Sequence, residues 1–114
     1  MITDFVVKLR ENIFNELNAR DNGKIMLINS PKVKQYKVEN ILTLSSESGE
    51  TFDVKITDML YFKNIKDVFS MINKQEFGYS RSQTETKVED EFLIDYKIAD
   101  VEKYGLVVIN FVKI

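Results

Sequence analysis

Chemistry in this chain must run on a short menu of side chains. The sequence contains no histidine and no cysteine. That removes imidazole acid–base catalysis, thiolate nucleophiles, disulfides and most zinc sites, and leaves Lys, Asp, Glu, Tyr, Ser and Thr. Four groupings stand out. Lys24 opens an apolar run just after Asp21-Asn22-Gly23; its ammonium reads either as a solvated charge at the start of a strand or as a cation for a phosphate or oxyanion. Lys8, Arg10, Arg20, Lys32, Lys34 and Lys37, with Tyr36 among the last of these, read either as a basic rim with a ring that stacks on a base or as a solubilising charged loop. Tyr79 and Arg81 follow Gly78 in the longest loop. They offer a stacking ring and a phosphate-binding guanidinium over a cleft, or a ring that plugs the end of the core. Glu85, Glu89, Asp90 and Glu91 form an acidic cluster without a Gly-containing cation loop. They read as a solvated helix face whose early acids suit the positive end of the dipole. No metal and no cofactor is expected.

The overall charge limits the partners. At a net charge of −2, generic phosphate binding is not favoured, and any nucleic-acid contact has to come from a local basic patch. No apolar run approaches the roughly 18 residues that span a bilayer. Met1-Ile2-Thr3-Asp4 lacks the basic start and apolar stretch of a secretory leader, and the lack of cysteine suits a reducing compartment, so a cytoplasmic protein is expected. With 114 residues, 44% of them hydrophobic, the chain reads as a single domain over 1–114, large enough to need no staples.

The elements that must position these side chains follow from periodicity. Residues 5–9 form a short β-branched strand, and Glu11 to Arg20 a helix with Leu9, Ile13, Phe14 and Leu17 on one stripe. Lys24 to Ile28 is a second strand, stopped by Asn29-Ser30-Pro31. Ile41 to Leu44 and Thr51 to Phe62 are strands joined by the turn at Ser46–Glu50. In the longer one, Phe52, Val54 and Ile56 alternate with Asp53, Lys55 and Thr57. Asn64 caps a helix carrying Ile65, Val68, Phe69 and Ile72 on one face. After a loop over 73–81, Ser82 and Glu85 fit a capping box for a helix reaching Asp95. Residues 99–104 make a helical turn ended by Gly105, and Leu106 to Val112, apolar on both faces, is a central strand. The order β-α-β-β-β-α-α-β predicts an α+β fold: a small, five-stranded, mostly antiparallel barrel, partly closed, with flanking helices.

Several phrases within this order resemble the ASCH domain, a PUA-like barrel family, over nearly the whole chain. Residues Tyr36-Lys37-Val38-Glu39-Asn40-Ile41-Leu42-Thr43-Leu44 are similar to its "K-V-G-D-x-I-x-F" approach to the third strand. Val54-Lys55-Ile56-Thr57-Asp58-Met59-Leu60-Tyr61-Phe62-Lys63 and Phe77-Gly78-Tyr79 follow in the family's order. Glu102-Lys103-Tyr104-Gly105-Leu106-Val107-Val108-Ile109 resembles the closing "E-x-x-Y-G-V-V-x-I" strand. The family signature "G-x-K-x-x-E-x-R" falls on residues 22–29. Lys24 keeps the lysine, whereas Asn22, Leu27 and Asn29 replace the Gly, Glu and Arg, and the later Gly-Asp is Glu39-Asn40.

The resemblance implies a module that binds RNA or a modified nucleotide in the barrel cleft, with Lys24 and Asn29 at the ligand and Arg20, Tyr79 and Arg81 nearby. An alternative it implies is an amidohydrolase acting on N-acetylated cytidine-type nucleosides, with Lys24 holding the oxyanion and Glu85 as the helix carboxylate. Leu27, which has neither a carboxylate nor a hydroxyl, weighs against catalysis. The remaining alternative is a protein-interaction domain that kept the fold and lost the site.

Overall fold

The computed structural model describes residues 5–114. Residues 1–4, read above for leader features, lie outside it. The elements are β1 (Val6–Lys8), α1 (Glu11–Asn18), β2 (Asn22–Ile28), β3 (Ile41–Ser45), β4 (Thr51–Phe62), α2 (Ile65–Met71), α3 (Glu85–Asp95), α4 (Ile98–Tyr104) and β5 (Leu106–Lys113), with short 3₁₀ turns at Val33–Gln35 and Lys74–Phe77.

The five strands form one mixed sheet in the order β1-β3-β4-β5-β2. The pairs β3–β4, β4–β5 and β2–β5 are antiparallel, and β1 runs parallel to β3 through Val6↔Thr43 and Lys8↔Ser45. The expected mostly antiparallel arrangement holds, with β1–β3 the one parallel pairing among the described residues. Hairpin chemistry at residues 46–50 dictates only the two strands it joins. The partner of β1 is set by the route of the connection from β2 to β3, which no local signal encodes.

The sheet curls into a half-barrel. Side chains from one face of all five strands, among them Val7, Leu27, Leu44, Ile56 and Ile109, meet in a single cluster that also takes in Ile13 and Leu17 of α1 and Val33 and Tyr36 of the β2–β3 connection. The other face of β2 and β5, carrying Met26, Ile28, Leu106 and Val108, packs under Ile65 and Val68 of α2, Phe92 of α3 and Val101 of α4. Because these two strands are covered on both sides, their sequences lose the alternation that β4 keeps. Leu42, Leu44, Val54 and Ile56 are completely buried, each stabilising the fold by about 1.5–3 kcal/mol. Within β4 the register slips between Ile56 and Asp58, so Thr57 sits in a bulge.

Most local signals act as read, though α1 stops at Asn18 rather than Arg20 and β2 begins at Asn22 rather than Lys24. Asn64 Oδ1 accepts the Asp67 N–H at 2.9 Å. The capping box at Ser82 does not form. Thr84 is the N-cap of α3 and accepts the Lys87 N–H at 3.2 Å, while Ser82 pairs with Ser80. Both hydroxyls were available, and Thr84 lies two residues nearer the first buried position, Val88. Arg10, at the N-terminus of α1, clamps the far end of α3 through two bonds to Asp95, at 2.8 and 3.0 Å. Gly105 ends α4 at φ 73°, ψ −170°, and its carbonyl accepts the Asn29 N–H at 3.0 Å, which fixes the β2–β3 connection to the α4–β5 turn.

Candidate functional site

Strands β1 and β2 are the two edges of the sheet, and the curl sets them across a seam. Between them lies a cleft of about 330 Å³ whose lining includes Val7 and Lys8 from β1 and Leu27 and Ile28 from β2. Three phenol rings complete it: Tyr36, Tyr96 and Tyr104. Each is held by a different element. Tyr36 follows the first 3₁₀ turn and packs on Phe5 at 4.6 Å between centroids. Tyr96 follows α3 and stacks on Phe92, four residues back, at 4.5 Å and 28°. Tyr104 is the last residue of α4, and the ammonium groups of Lys103 and Lys34 lie 5.1 and 6.0 Å from its centroid. Ser30, Lys32 and Asp100 supply the polar wall. Burial pushes the Tyr36 and Tyr96 phenols upward, with Asp95 adding to the shift at Tyr96. Both are therefore neutral hydrogen-bonding groups at physiological pH.

The inner end of the seam is closed. Only about 60 Å³ remains where Leu27, Phe77 and Tyr79 converge beside Arg10 and Tyr96. Burial first, and then the Glu91 carboxylate, push the Tyr79 phenol up to about 12. Tyr79 is thus mainly a wall of the packed end. This is the core-plugging role weighed for it in the sequence.

Lys24 lies elsewhere. It shares a face of β2 with Met26 and Ile28, opposite Ile25 and Leu27, and lines an open hollow of about 550 Å³ with Arg20, Thr57, Glu76 and Asn110. Lys24 Nζ is 3.3 Å from Glu76 Oε1. Arg20 donates to the Gln75 carbonyl at 2.8 Å and sits 3.8 Å from Glu16. Lys24 and Asn110 are cross-strand partners, and Asn110 in turn faces Asp58 at the bulge of β4. Bulges of this kind re-aim side chains. Asn110 Oδ1 is buried without a hydrogen-bond partner.

The structure therefore brings Arg20 and Lys24 together and sets Tyr79 apart from them, in the seam. Asn29 sits just past β2, its Oδ1 buried and without a hydrogen-bond partner. Arg81 and Glu85 are exposed, and neither lines the hollow that holds Lys24. The carboxylate beside Lys24 is Glu76, in the segment 73–81 expected as a loop, where Lys74–Phe77 form a 3₁₀ turn. Tyr96 and Tyr104 were also passed over. The i, i+4 spacing of Phe92 and Tyr96 was a usable signal for the first, and the position before a helix-ending glycine for the second.

Among the described residues, no group of three or more His, Cys, Asp or Glu could hold a metal ion, and no helix is long and apolar enough to cross a membrane. The class of protein defined here is an α+β half-barrel with an aromatic cleft along its open seam. No protein-family model and no curated protein matches the chain. Solved structures share the fold. The crystal structure of hypothetical protein PH0355 superposes with a TM-score of 0.76 at 19% identity, over 96% of this chain and 97% of that one. The solution NMR structure of protein PF0455 from Pyrococcus furiosus gives 0.72 at 15% identity, over 96% of each. At such identities the likeness concerns the fold alone.

Proposed function

We propose that this chain is an ASCH/PUA-like module that binds RNA or a modified nucleotide, with the base held in the seam between β1 and β2. The observation that carries this reading is the cleft of about 330 Å³ with Tyr36, Tyr96 and Tyr104 in its lining and Lys8 and Lys32 beside them. Tyr36 is packed into the core, so stacking on a base falls to Tyr104 and Tyr96, and ammonium groups meet its phosphate. Ser30 and Asp100 are the groups that would read polar edges of the base. The family assignment draws support from Glu39, which stands where the resembled family has glycine and takes φ 81°, a conformation that favours glycine. Calorimetric titration with nucleosides and nucleoside 5′-monophosphates tests the reading. Binding that weakens at least about tenfold in Tyr104→Ala is the expected result. Absence of binding by every nucleotide, or full binding by that variant, ends it.

A second reading rests on Lys24 and Glu76. A carboxylate 3.3 Å from an ammonium suits an amidohydrolase acting on N-acetylated cytidine-type nucleosides. Glu76 takes the proton of the attacking water and later passes it to the leaving nitrogen, while Lys24 holds the oxyanion. Glu76 replaces Glu85 in that role. Acetate release from N-acetylcytidine, lost in both Lys24→Ala and Glu76→Gln, is the expected behaviour. A wild-type protein that releases none excludes it.

A further inference from the structure

A second hollow, of about 490 Å³, adjoins the seam. It is lined by Tyr61, Phe62, Lys63, Glu102, Lys103 and Tyr104. Tyr104 also lines the seam cleft, so the two hollows share that residue. We infer that the two hollows are consecutive subsites for a single-stranded nucleic acid that crosses Tyr104, so the ligand is a strand rather than a free nucleoside. The inference rests on reading the seam as a base site and adds the second subsite to it.

The sheet itself leaves this subsite open. β4 has 12 residues and β3 has five, and β3 pairs only with Thr51–Lys55. The far half of β4 therefore overhangs its shorter neighbour. Tyr61 is opposite Val107 on β5, on the concave face of the sheet, yet it is 62% exposed because nothing from β3 reaches it. An aromatic ring left open beside two lysines is a stacking platform with a phosphate contact. The charge fits as well. Lys32, Lys34, Lys63 and Lys103 border the two hollows and the Tyr104 ring, against the carboxylates Asp100 and Glu102. This is a local basic track on a chain whose net charge is −2, and a track is what a linear polyanion requires. The phosphate joining two nucleotides would meet Lys34 and Lys103, whose ammonium groups already lie beside the Tyr104 ring.

The probes are uridine and adenosine 5′-monophosphates, the corresponding dinucleotides and a tetranucleotide, each in ribo and deoxy form, titrated by calorimetry at two salt concentrations. A dinucleotide should bind about tenfold or more tighter than its mononucleotide. Its salt dependence should be steeper by roughly 0.7 in the log–log slope for each added phosphate contact. Tyr61→Ala and Lys63→Ala, at residues that line only the second hollow, should each reduce that gain while leaving the mononucleotide affinity unchanged. Both are surface changes, and circular dichroism confirms that the variants fold. Equal ribo and deoxy affinities identify recognition through bases and phosphates; tighter ribo binding adds the 2′-hydroxyl. Either outcome upholds the track. Mononucleotide binding with no gain on lengthening overturns this inference and leaves the seam reading standing. No binding by any probe overturns both.

Discussion

Gly105→Ala should be among the most damaging small changes in the molecule, and the geometry fixes by how much. Gly105 sits at φ 73°, ψ −170°, a region essentially reserved for glycine, where a side chain costs about 1–3 kcal/mol. A Cβ there would also lie 3.0 Å from the Phe62 carbonyl oxygen, backbone that cannot swing aside as a side chain would. Relief requires the α4–β5 turn to move a few tenths of an ångström. That strains the 2.8 Å bond from the Gly105 N–H to Val101 and the 3.0 Å bond from Asn29 to the Gly105 carbonyl. The expected total is about 3 kcal/mol, near the top of the strain range. In a domain of this size it lowers Tm by on the order of 10–15 °C. Gly49 supplies the internal control. It has φ 95° and nothing within 4 Å of its would-be Cβ, so Gly49→Ala should cost only about 1–2 kcal/mol from backbone handedness. Urea unfolding of both variants, followed by circular dichroism, gives the comparison. Equal losses at the two positions would refute the account, because the Phe62 contact would then count for nothing.

Other outcomes follow from the same coordinates. Leu44→Ala, at a site of zero exposure, should cost about 2–5 kcal/mol in denaturant unfolding. Arg10→Met removes a two-bond clamp whose partners are each more than a third exposed, so the loss should stay near 1 kcal/mol or below and shrink further in high salt. Alkaline titration should separate the tyrosines. Tyr79 ionises near pH 12 instead of 10, so above pH 10 the unfolded chain has given up a proton that the folded one keeps. Stability should fall as pH rises from about 10 to 12, with Tyr36 and Tyr96, also shifted upward, adding to the decline. Ultraviolet titration against thermal melts checks this, and Tyr79→Phe should flatten the slope. Glu39→Gly should leave stability unchanged or raise it by about 1 kcal/mol, since it relieves a left-handed residue and loses only an exposed ion pair with Lys55; a clear drop in Tm would count against strain at that position.

Much of the scaffold was legible because its signals are local. β4 was read with both ends in place, since alternation and turn residues bound it on either side. α1 and α2 followed from three or four apolar side chains at helical spacing, and Asn64 from its capping chemistry. What escaped depends on contacts far apart in sequence. Nothing near Val6 says that its strand will lie parallel to Thr43. Glu76 reaches Lys24 only because residues 74–77 coil into a 3₁₀ turn against β2, and a run such as Lys-Gln-Glu-Phe carries no mark of that. Arg20 and Lys24 line one hollow because a single tight turn separates them. Tyr79 reads as a stacking ring or a plug, and it lies at the packed inner end of the seam with Leu27 and Phe77. The seam was half visible: Lys8, Lys32 and Tyr36 were singled out, whereas Tyr96 follows α3 and Tyr104 ends α4, helices whose placement over β2 and β5 only the whole sheet determines.

The position of β5 has a consequence for how the chain comes into being. β2 is made early, yet among the described residues its only neighbour in the sheet is β5, which begins some eighty residues later. On a ribosome, Ile25 to Ile28 would emerge and wait with neither edge paired, an apolar ribbon open to any strand that passes, while β3 and β4 zip together at once. The two halves can join only when the segment from Leu106 onward arrives and slides between β4 and β2. Synthesis that stalls before that segment should therefore yield an aggregation-prone or chaperone-held chain rather than a smaller stable fold.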